Sequence, residues 1–233
     1  MTRAMATLML AGAISLFASL EMPGTAQALI QISSPFGANV PVRAQIGRDT
    51  QAGIQIIAWQ RKSDNACAGT AIGNGSGLVD DFQVSGSSGD DFVWVIFNMS
   101  ADTIFCNFHM NGLVYGGHYL DVLGLAGNDI LSSGDAGDTW LFGMDGNDEL
   151  IYSGFGNAFG GNGNDTVRTV HLIFTSEGAY GEAGNDCLED GNGQSFVTDC
   201  GSGVDTLAVI AATEPFSTSC ELRRFVSCDH PPP

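Results

Sequence analysis

Aspartates recur at a fixed place in a phrase that is repeated five times between Gly124 and Leu207. In each copy a turn-forming residue stands first, glycine fourth, aspartate sixth and an aliphatic residue eighth. The five aspartates are Asp129, Asp148, Asp165, Asp186 and Asp205. Carboxylates that stand close together repel one another unless a cation lies between them. Calcium binds about six to eight oxygen atoms in flexible geometry, so a column of aspartates with nearby carbonyls suits this ion.

The spacing of the aspartates defines the elements that must position them. They follow one another at steps of 19, 17, 21 and 19 residues. A step near 18 corresponds to two nine-residue units, each a six-residue turn and a three-residue strand. Successive coils would stack at the strand spacing of about 4.8 Å. We therefore expect the aspartates to line one edge of the stack. The aliphatic residues two places later should form an inward row: Leu131, Leu150, Val167, Leu188 and Leu207.

Glycines at the first and fourth places suit a turn with positive φ and close backbone approach. With the aspartates they complete the predicted cation site. These glycines are Gly124, Gly127, Gly143, Gly146, Gly160, Gly163, Gly181, Gly184 and Gly203.

The phrase resembles the Gly-Gly-x-Gly-x-Asp-x-aliphatic-x nonapeptide of the RTX, or haemolysin-type, calcium-binding family, and residues 160–169 are its closest copy. The resemblance implies an all-β fold, a right-handed parallel β-roll or β-solenoid, in which Ca²⁺ lies between turns and is held by the motif aspartates and turn carbonyls. The second place departs from glycine at Leu125, Met144 and Glu182. We interpret that place as the most permissive of the turn.

The opposite edge of each coil is less regular. Asp121 and Asp138 are further candidate ligands there, and Leu123, Trp140 and Val197 are expected to point inward. The pattern also extends backward to Asp91, 38 residues before Asp129. That distance predicts one intervening coil, in which Met110 would replace the aspartate. The alternative is a solenoid that binds no metal, although such a stack would favour asparagine over stacked aspartate.

The chain begins with features of a secretory signal over residues 1–28: Arg3, an apolar run over 4–20, and Ala26-Gln27-Ala28 before the predicted cleavage point. We therefore expect a secreted protein with no transmembrane segment. RTX proteins typically resemble substrates of type I secretion, which carry an uncleaved C-terminal signal, so the export route of this chain stays open.

Six cysteines behind such a signal favour disulfides. Cys200 begins the fifth copy, and a coil of about 20 residues places Cys220 beneath it. Sequence alone does not pair Cys67, Cys106, Cys187 and Cys228.

The remaining segments frame the repeats. Residues 29–71 contain alternating apolar runs and are expected to form a β-rich N-terminal cap. Residues 72–207 are assigned to the β-roll, with clear repeats over 116–207. Residues 208–233 are assigned to a C-terminal cap and tail. The expected Cys200–Cys220 disulfide would attach this segment to the end of the roll.

Charge and motifs narrow the function. A formal net charge of −18 argues against nucleic acid or an anionic membrane as a partner. No catalytic motif is recognisable, the only lysine is Lys62, and we expect no enzymatic activity. The prediction is a calcium-binding protein that folds on binding Ca²⁺.

Two rival functions have thinner support. An adhesion or carbohydrate-binding surface protein supported by calcium is suggested by the aromatic residues Trp94, Phe97, Phe105, Phe108 and Tyr115, and an extracellular glycan would be its partner. A solenoid polysaccharide-active enzyme is disfavoured, because Arg168 is the only basic residue within the clean repeats.

Overall fold

The structure, a computed structural model, describes residues 29–96, 103–134, 139–152, 156–169, 178–190, 197–209, 219–224 and 228. The proposed signal segment, Asp138 and Phe97 lie outside these ranges. All regular structure in the described ranges is β, as the repeat predicts, and none of these residues forms a helix that could cross a membrane.

The strands of the first half are β1 (Leu29–Ser33), β2 (Val42–Asp49), β3 (Ile54–Arg61), β4 (Cys67–Ala71), β5 (Gly73–Asn74), β6 (Gly77–Leu78), β7 (Asp81–Ser85), β8 (Phe92–Val95), β9 (Thr103–Phe105) and β10 (Phe108–Asn111). Those of the second half are β11 (Leu120–Ala126), β12 (Ile130–Gly134), β13 (Thr139–Asp145), β14 (Glu149–Tyr152), β15 (Asn157–Asn162), β16 (Thr166–Thr169), β17 (Gly178–Ala183), β18 (Cys187–Asp190), β19 (Val197–Asp199), β20 (Thr206–Val209) and β21 (Leu222–Arg224).

Two sheets contain nearly all of these strands. The first sheet has the order β1-β7-β11-β13-β15-β17-β19, and all of its pairs are parallel. The second sheet contains a parallel series, β21-β20-β18-β16-β14-β12-β8-β2. From β11 to β20 the chain alternates strand by strand between the two sheets. Each passage from the first sheet to the second crosses one copy of the repeated turn.

The core lies between the two sheets and is built by alternation along the strands. The predicted aliphatic row is buried in it, with each side chain at most 3% exposed: Leu131, Leu150, Val167, Leu188 and Leu207. Facing residues of the first sheet are Val122, Leu141, Ala158 and Ala179, which are register neighbours of one another. The inward row is therefore confirmed on the side of the second sheet.

The predicted register was wrong by one residue in the first sheet. Val122 and Leu141 belong to the core, so their neighbours Leu123 and Trp140 lie on the other face of the sheet, where Leu123 is nevertheless 5% exposed. A shift of one residue exchanges the two faces of a strand. An aromatic row occupies that outer face, and the rings of Phe142 and Phe159 stack with centroids 5.1 Å apart. The side chain of Val197 is outside the described set.

The N-terminal strands continue the two sheets of the repeats. β1 pairs in parallel with β7, and β2 pairs in parallel with β8 while forming an antiparallel meander with β3 and β4. The predicted strands of residues 29–71 are thus present.

No coil intervenes between Asp91 and Asp129, contrary to the sequence prediction. β8 pairs directly with β12, and Ile130 N donates to the carbonyl oxygen of Asp91 at 3.1 Å. Met110 lies in β10, an antiparallel partner of β2 and β9. The segment between β8 and β11 is therefore an excursion, and the 38-residue step is one coil that carries this insertion.

Three disulfides are present. The bond between Cys200 and Cys220 confirms the pairing expected from register, with the Cα atoms 5.2 Å apart. Cys67 pairs with Cys106, and Cys187 pairs with Cys228. The Cys67–Cys106 bond joins β4 to the residue that follows β9, whereas the Cys187–Cys228 bond joins β18 to the C-terminal segment. Disulfides therefore lie near both ends of the stack.

Replacement of Leu150 by alanine tests the core assignment. Leu150 is fully buried, whereas Ile151 beside it points to the outer face of the second sheet. We expect Leu150→Ala to lower the free energy of unfolding by about 2–5 kcal/mol, because it leaves a cavity. Ile151→Ala, the matched control, should cost about 1 kcal/mol or less. Urea unfolding measures both, and equal costs would contradict the assigned faces.

Candidate functional site

The repeated turn between the two sheets requires glycine at its fourth place. Gly127, Gly146, Gly163, Gly184 and Gly203 all have positive φ, between 116° and 152°. In this region a side chain is strongly disfavoured. The amide of each of the first four donates to a carbonyl in the next coil, for example Gly146 N to Asn162 O at 2.8 Å. The fourth-place prediction is confirmed.

The motif aspartates form a ladder along the stack. The Oδ1 atom of each one accepts a hydrogen bond from the backbone amide of the corresponding aspartate in the preceding coil. The pairs are Asp91 N to Asp129 Oδ1 (2.6 Å), Asp129 N to Asp148 Oδ1 (2.7 Å), Asp148 N to Asp165 Oδ1, Asp165 N to Asp186 Oδ1 and Asp186 N to Asp205 Oδ1 (each 2.8 Å). The structure therefore brings the five predicted aspartates together in one column, and Asp91 joins them.

The second oxygen of each repeat aspartate is buried without a hydrogen-bond partner. This holds for the Oδ2 atoms of Asp129, Asp148, Asp165, Asp186 and Asp205. A buried carboxylate oxygen without a partner is costly, because it loses its hydration and gains nothing in return. The column thus presents five orphaned acceptors in series.

The first-place glycines make room for these oxygens. A Cβ added to Gly143 would lie 2.4 Å from Asp148 Oδ2 and 2.4 Å from the carbonyl oxygen of Gly160. Gly124, Gly160 and Gly181 have equivalent surroundings, in which Asp Oδ2 and the first-place carbonyl of the next coil approach the same point. These glycines do not have positive φ, so that part of the prediction was wrong, whereas the predicted close approach of backbone is confirmed. They are needed because a side chain would fill an oxygen-lined cradle.

The second place accepts residues other than glycine in three copies, but the structure shows that it does so at a conformational cost. Leu125, Met144 and Glu182 have φ of 87°, 83° and 74°, and Gly161 and Gly201 take the same region. Non-glycine residues in this conformation are strained by roughly 1–3 kcal/mol each. Three coils therefore carry backbone strain beside the aspartate column.

Burial governs the ionisation of the column. Desolvation, reinforced by neighbouring carboxylates, raises the pKa of Asp129 and of Asp165 to about 7. It raises the pKa of Asp148 and of Asp186 to about 6, and that of Asp205 also rises. The hydrogen bonds from backbone amides oppose this effect without cancelling it. Without a cation, the folded column therefore holds protons near neutral pH.

A second ladder, which the sequence analysis overlooked, runs along the exposed side of the turns. The Oδ1 atoms of Asn128, Asn147, Asn164 and Asn185 accept the amide of the fifth-place residue in the next coil, at 2.7–2.9 Å. It runs opposite to the aspartate ladder, in which Oδ1 accepts from the preceding coil. The signal was asparagine at the fifth place in four of the five copies.

The last rung is also one that sequence reasoning missed. Glu221 Oε2 accepts the amide of Asp205 at 2.9 Å, and Leu222 N donates to Asp205 O at 2.9 Å. Glu221 follows Cys220, whose disulfide to Cys200 fixes the segment on the stack. A glutamate without flanking glycines gives no motif signal. Register beneath Cys200 was the only available clue.

The structure does not place Asp121 with the column. It lies inside β11, where its register neighbours are Gln83 and Trp140 on the outer face of the first sheet. The shift of register that misassigned Trp140 also affected Asp121, which is in a strand rather than a turn. Asp138, the other candidate of that edge, is outside the described ranges.

Hard-cation binding is the chemistry that this column can support. Within the described ranges no three His, Cys, Asp or Glu side chains converge on a common metal position. Each cradle instead offers one carboxylate oxygen and one main-chain carbonyl oxygen, which are ligand types preferred by Ca²⁺. No protein-family model matches the chain, and neither a curated protein nor a solved structure is significantly similar to it.

The raised pKa values predict how stability depends on pH in calcium-free buffer. The unfolded carboxyls titrate near 3.9 and the folded ones at about 6–7, so stability is full at low pH and is lost as pH rises through 6–7. We expect the Tm to fall by roughly 5–10 °C between pH 5 and pH 8. Asp165→Asn keeps the Oδ1 acceptor but has no proton to lose, so it should flatten the slope. A Tm that rises over this interval would contradict the raised pKa values.

Proposed function

We propose that the chain is a secreted calcium-binding repeat protein whose parallel strands form a right-handed β-roll that folds as Ca²⁺ binds between stacked turns. The observation that carries this proposal is the column of five buried Oδ2 atoms without hydrogen-bond partners. Neutral pH leaves these carboxylates with two alternatives, protonation or a cation. Calcium is the common biological cation whose ligand preferences match a carboxylate beside main-chain carbonyls.

The cradles bring together oxygen atoms from two coils. Beside Gly143, Gly160 and Gly181, an aspartate Oδ2 atom and the first-place carbonyl oxygen of the next coil approach the same point. Carboxylate and main-chain carbonyl oxygens are both ligand types that calcium prefers. The groups that would hold the ion are therefore the repeat aspartates and the carbonyls of Gly143, Gly160, Gly181 and Cys200.

Calcium binding would supply folding free energy. Without an ion the column keeps orphaned oxygens, neighbouring carboxylates repel, and the glycine-rich turns lose much conformational entropy on ordering. A cation between coils removes the first two costs. Because the cradle exists only when two coils are stacked, binding and stacking are coupled.

Secretion is proposed because it accounts for the cysteines and the ion together. Three disulfides are compatible with an oxidising compartment. Extracellular calcium sites commonly have dissociation constants of about 10⁻⁴–10⁻³ M, a range suited to coils that stay loose until export. The acidic excess of the chain, with 26 Asp and Glu against 8 Lys and Arg, favours cation binding.

Calcium titration of Asp148→Asn tests the proposal. Asparagine keeps an oxygen at the Oδ1 position, so the ladder hydrogen bond is retained while the charge beside the cradle is lost. We expect the calcium midpoint for gain of far-UV circular dichroism to rise about tenfold or more, in line with the loss of a charged contact.

Asp121→Asn is the matched control, since it removes the same charge from the outer face of the first sheet; its midpoint should stay within about twofold of the original. Wild-type spectra and unfolding curves that are identical in calcium and in chelator would refute calcium-coupled folding.

A second candidate function, an adhesion or carbohydrate-binding surface, is favoured by Trp94. Its side chain is 42% exposed on the outer face of the second sheet, and its register neighbours Gln45 and Ser132 provide hydrogen-bonding groups. Phe105, Phe108 and Tyr115, in contrast, pack against the core. An exposed indole with polar neighbours suits stacking against a sugar ring.

Glycan-array binding in calcium, with Trp94→Ala as the test variant, examines this candidate. We expect the alanine variant to lose binding by tenfold or more, because the stacking surface is removed. Trp140→Ala, on the other sheet, should leave binding unchanged. Absence of glycan binding by the wild-type chain, or equal loss in both variants, would rule out a Trp94-centred site.

A further inference from the structure

The carboxylate of Asp91 differs from those of the repeats because both of its oxygens are satisfied. Its Oδ1 accepts from Val42 N at 2.6 Å and from Ser87 Oγ at 3.0 Å, and its Oδ2 accepts a short hydrogen bond from Ser87 N. In the five repeat copies no donor reaches Oδ2. Asp91 therefore occupies the same column without the orphaned oxygen that suggests a cation.

A different turn conformation produces this difference. Ser87 and Gly89 hold the second and fourth places of the Asp91 turn, and neither has positive φ. All five repeat copies have positive φ at both of these places. The altered backbone directs the amide of Ser87 onto Asp91 Oδ2. The first-place glycine of this turn, Gly86, still has Asp91 Oδ2 and Gly124 O beside it, as in the repeats, so the difference is the amide donor and not the space. The structure of the turn, and not only its sequence, thus closes this rung.

Lys62, the only lysine of the chain, supplies a positive charge at this turn. Its ammonium donates a short hydrogen bond to the carbonyl oxygen of Asp90, the residue before Asp91. The backbone holds it there, since Lys62 N donates to Pro41 O at 3.0 Å. Lys62 therefore places a fixed positive charge on the main chain of this turn, next to the residue that carries the column carboxylate.

The segment on the far side of Asp91 imitates a coil but places no carboxylate in the column. Ser88 N donates to Ala38 O at 2.6 Å, and Arg43 is the register partner of Phe92, so Val42 stands where an aspartate would be. A Cβ on Gly89 would meet Pro41 Cγ at 2.9 Å, so the two segments are in close contact. The column thus begins with an apolar residue at this end.

We infer that Lys62 and Ser87 close the first rung of the column as built-in replacements for calcium, so that Asp91 is a positioning residue and not a metal ligand. The ion stack then begins at Asp129. The N-terminal strands, with the Cys67–Cys106 disulfide, form without calcium and act as the template on which the first calcium-dependent coil is laid. The contacts of that template are Asp91 N to Asp129 Oδ1 and Ile130 N to Asp91 O.

The calcium-free half of the inference is tested by hydrogen exchange on the full-length chain in chelator, read by mass spectrometry. Peptides that contain Val42 and Ser87 should be protected in the wild type. Lys62→Met and Asp91→Asn should speed their exchange about tenfold or more, because Asp91 accepts both amides and Lys62 holds the main chain of the same turn at Asp90 O. Lys62→Arg keeps the charge and should keep most of the protection. If these peptides exchange in both Lys62→Met and Asp91→Asn as slowly as in the wild type, the inference is overturned.

The second half rests on the proposed calcium function and is tested by counting ions with native mass spectrometry in calcium. Asp91→Asn should retain as many ions as the wild type, whereas Asp148→Asn should lose at least one. Loss of an ion from Asp91→Asn would overturn the inference. If the wild type binds no calcium at all, the proposed function fails, and the exchange measurement in chelator still decides whether Lys62 and Asp91 close the first rung.

Discussion

A backbone amide that donates to a carboxylate in the adjoining coil is the interaction on which the stack depends. It repeats from Val42, through the aspartates, to the amide of Asp205, and it fixes the register of each coil on the next. Its consequence is electrostatic as well as structural. Because Oδ1 is used in the ladder, Oδ2 is turned into the buried cradle, where no donor of the repeat turns reaches it. The same bond that aligns the coils therefore creates the need for a proton or a cation.

The chemistry of each place in the repeat follows from its position relative to this bond. The first place is glycine in the first four copies, where the cradle occupies the space of a side chain, and Cys200 in the fifth; the fourth place is glycine in all five because of its positive φ. The fifth faces solvent, so its asparagine ladder can be satisfied by the backbone alone. The sixth is buried and charged. Polar ladders of two kinds thus lie side by side, and only the buried one has unsatisfied oxygens.

Sequence reasoning predicted the parts of the fold that the glycine spacing marks. The aspartate column, the inward row ending in Leu207 and the Cys200–Cys220 bond all lie at fixed distances from the repeated glycine turn, so the repeat locates them. The passages from the second sheet back to the first have no such glycine pattern. Leu123, Trp140 and Asp121 were placed one residue out of register there, because alternation alone does not say which face is inward. The 38-residue step from Asp91 to Asp129 likewise fits either two coils or one coil with an insertion, and its length alone does not distinguish them.

The two ends of the column could not be predicted because they use different residues for the same role. Glu221 reaches Asp205 N through a longer side chain on a segment pinned by a disulfide, and Lys62 approaches from a strand connection far away in sequence. Neither leaves a periodic signal. Both contacts join residues that are distant in sequence. They determine how many cradles in the column remain open to an ion.

The most direct test of the account is a crystal structure determined in millimolar calcium, with anomalous differences measured for the ion. The account predicts a row of anomalous peaks within about 2.3–2.6 Å of the Oδ2 atoms of the repeat aspartates, and none beside Asp91. A structure with the same coils, no peak beside Asp148 or Asp165, and their Oδ2 atoms hydrogen-bonded to protein or water would contradict it.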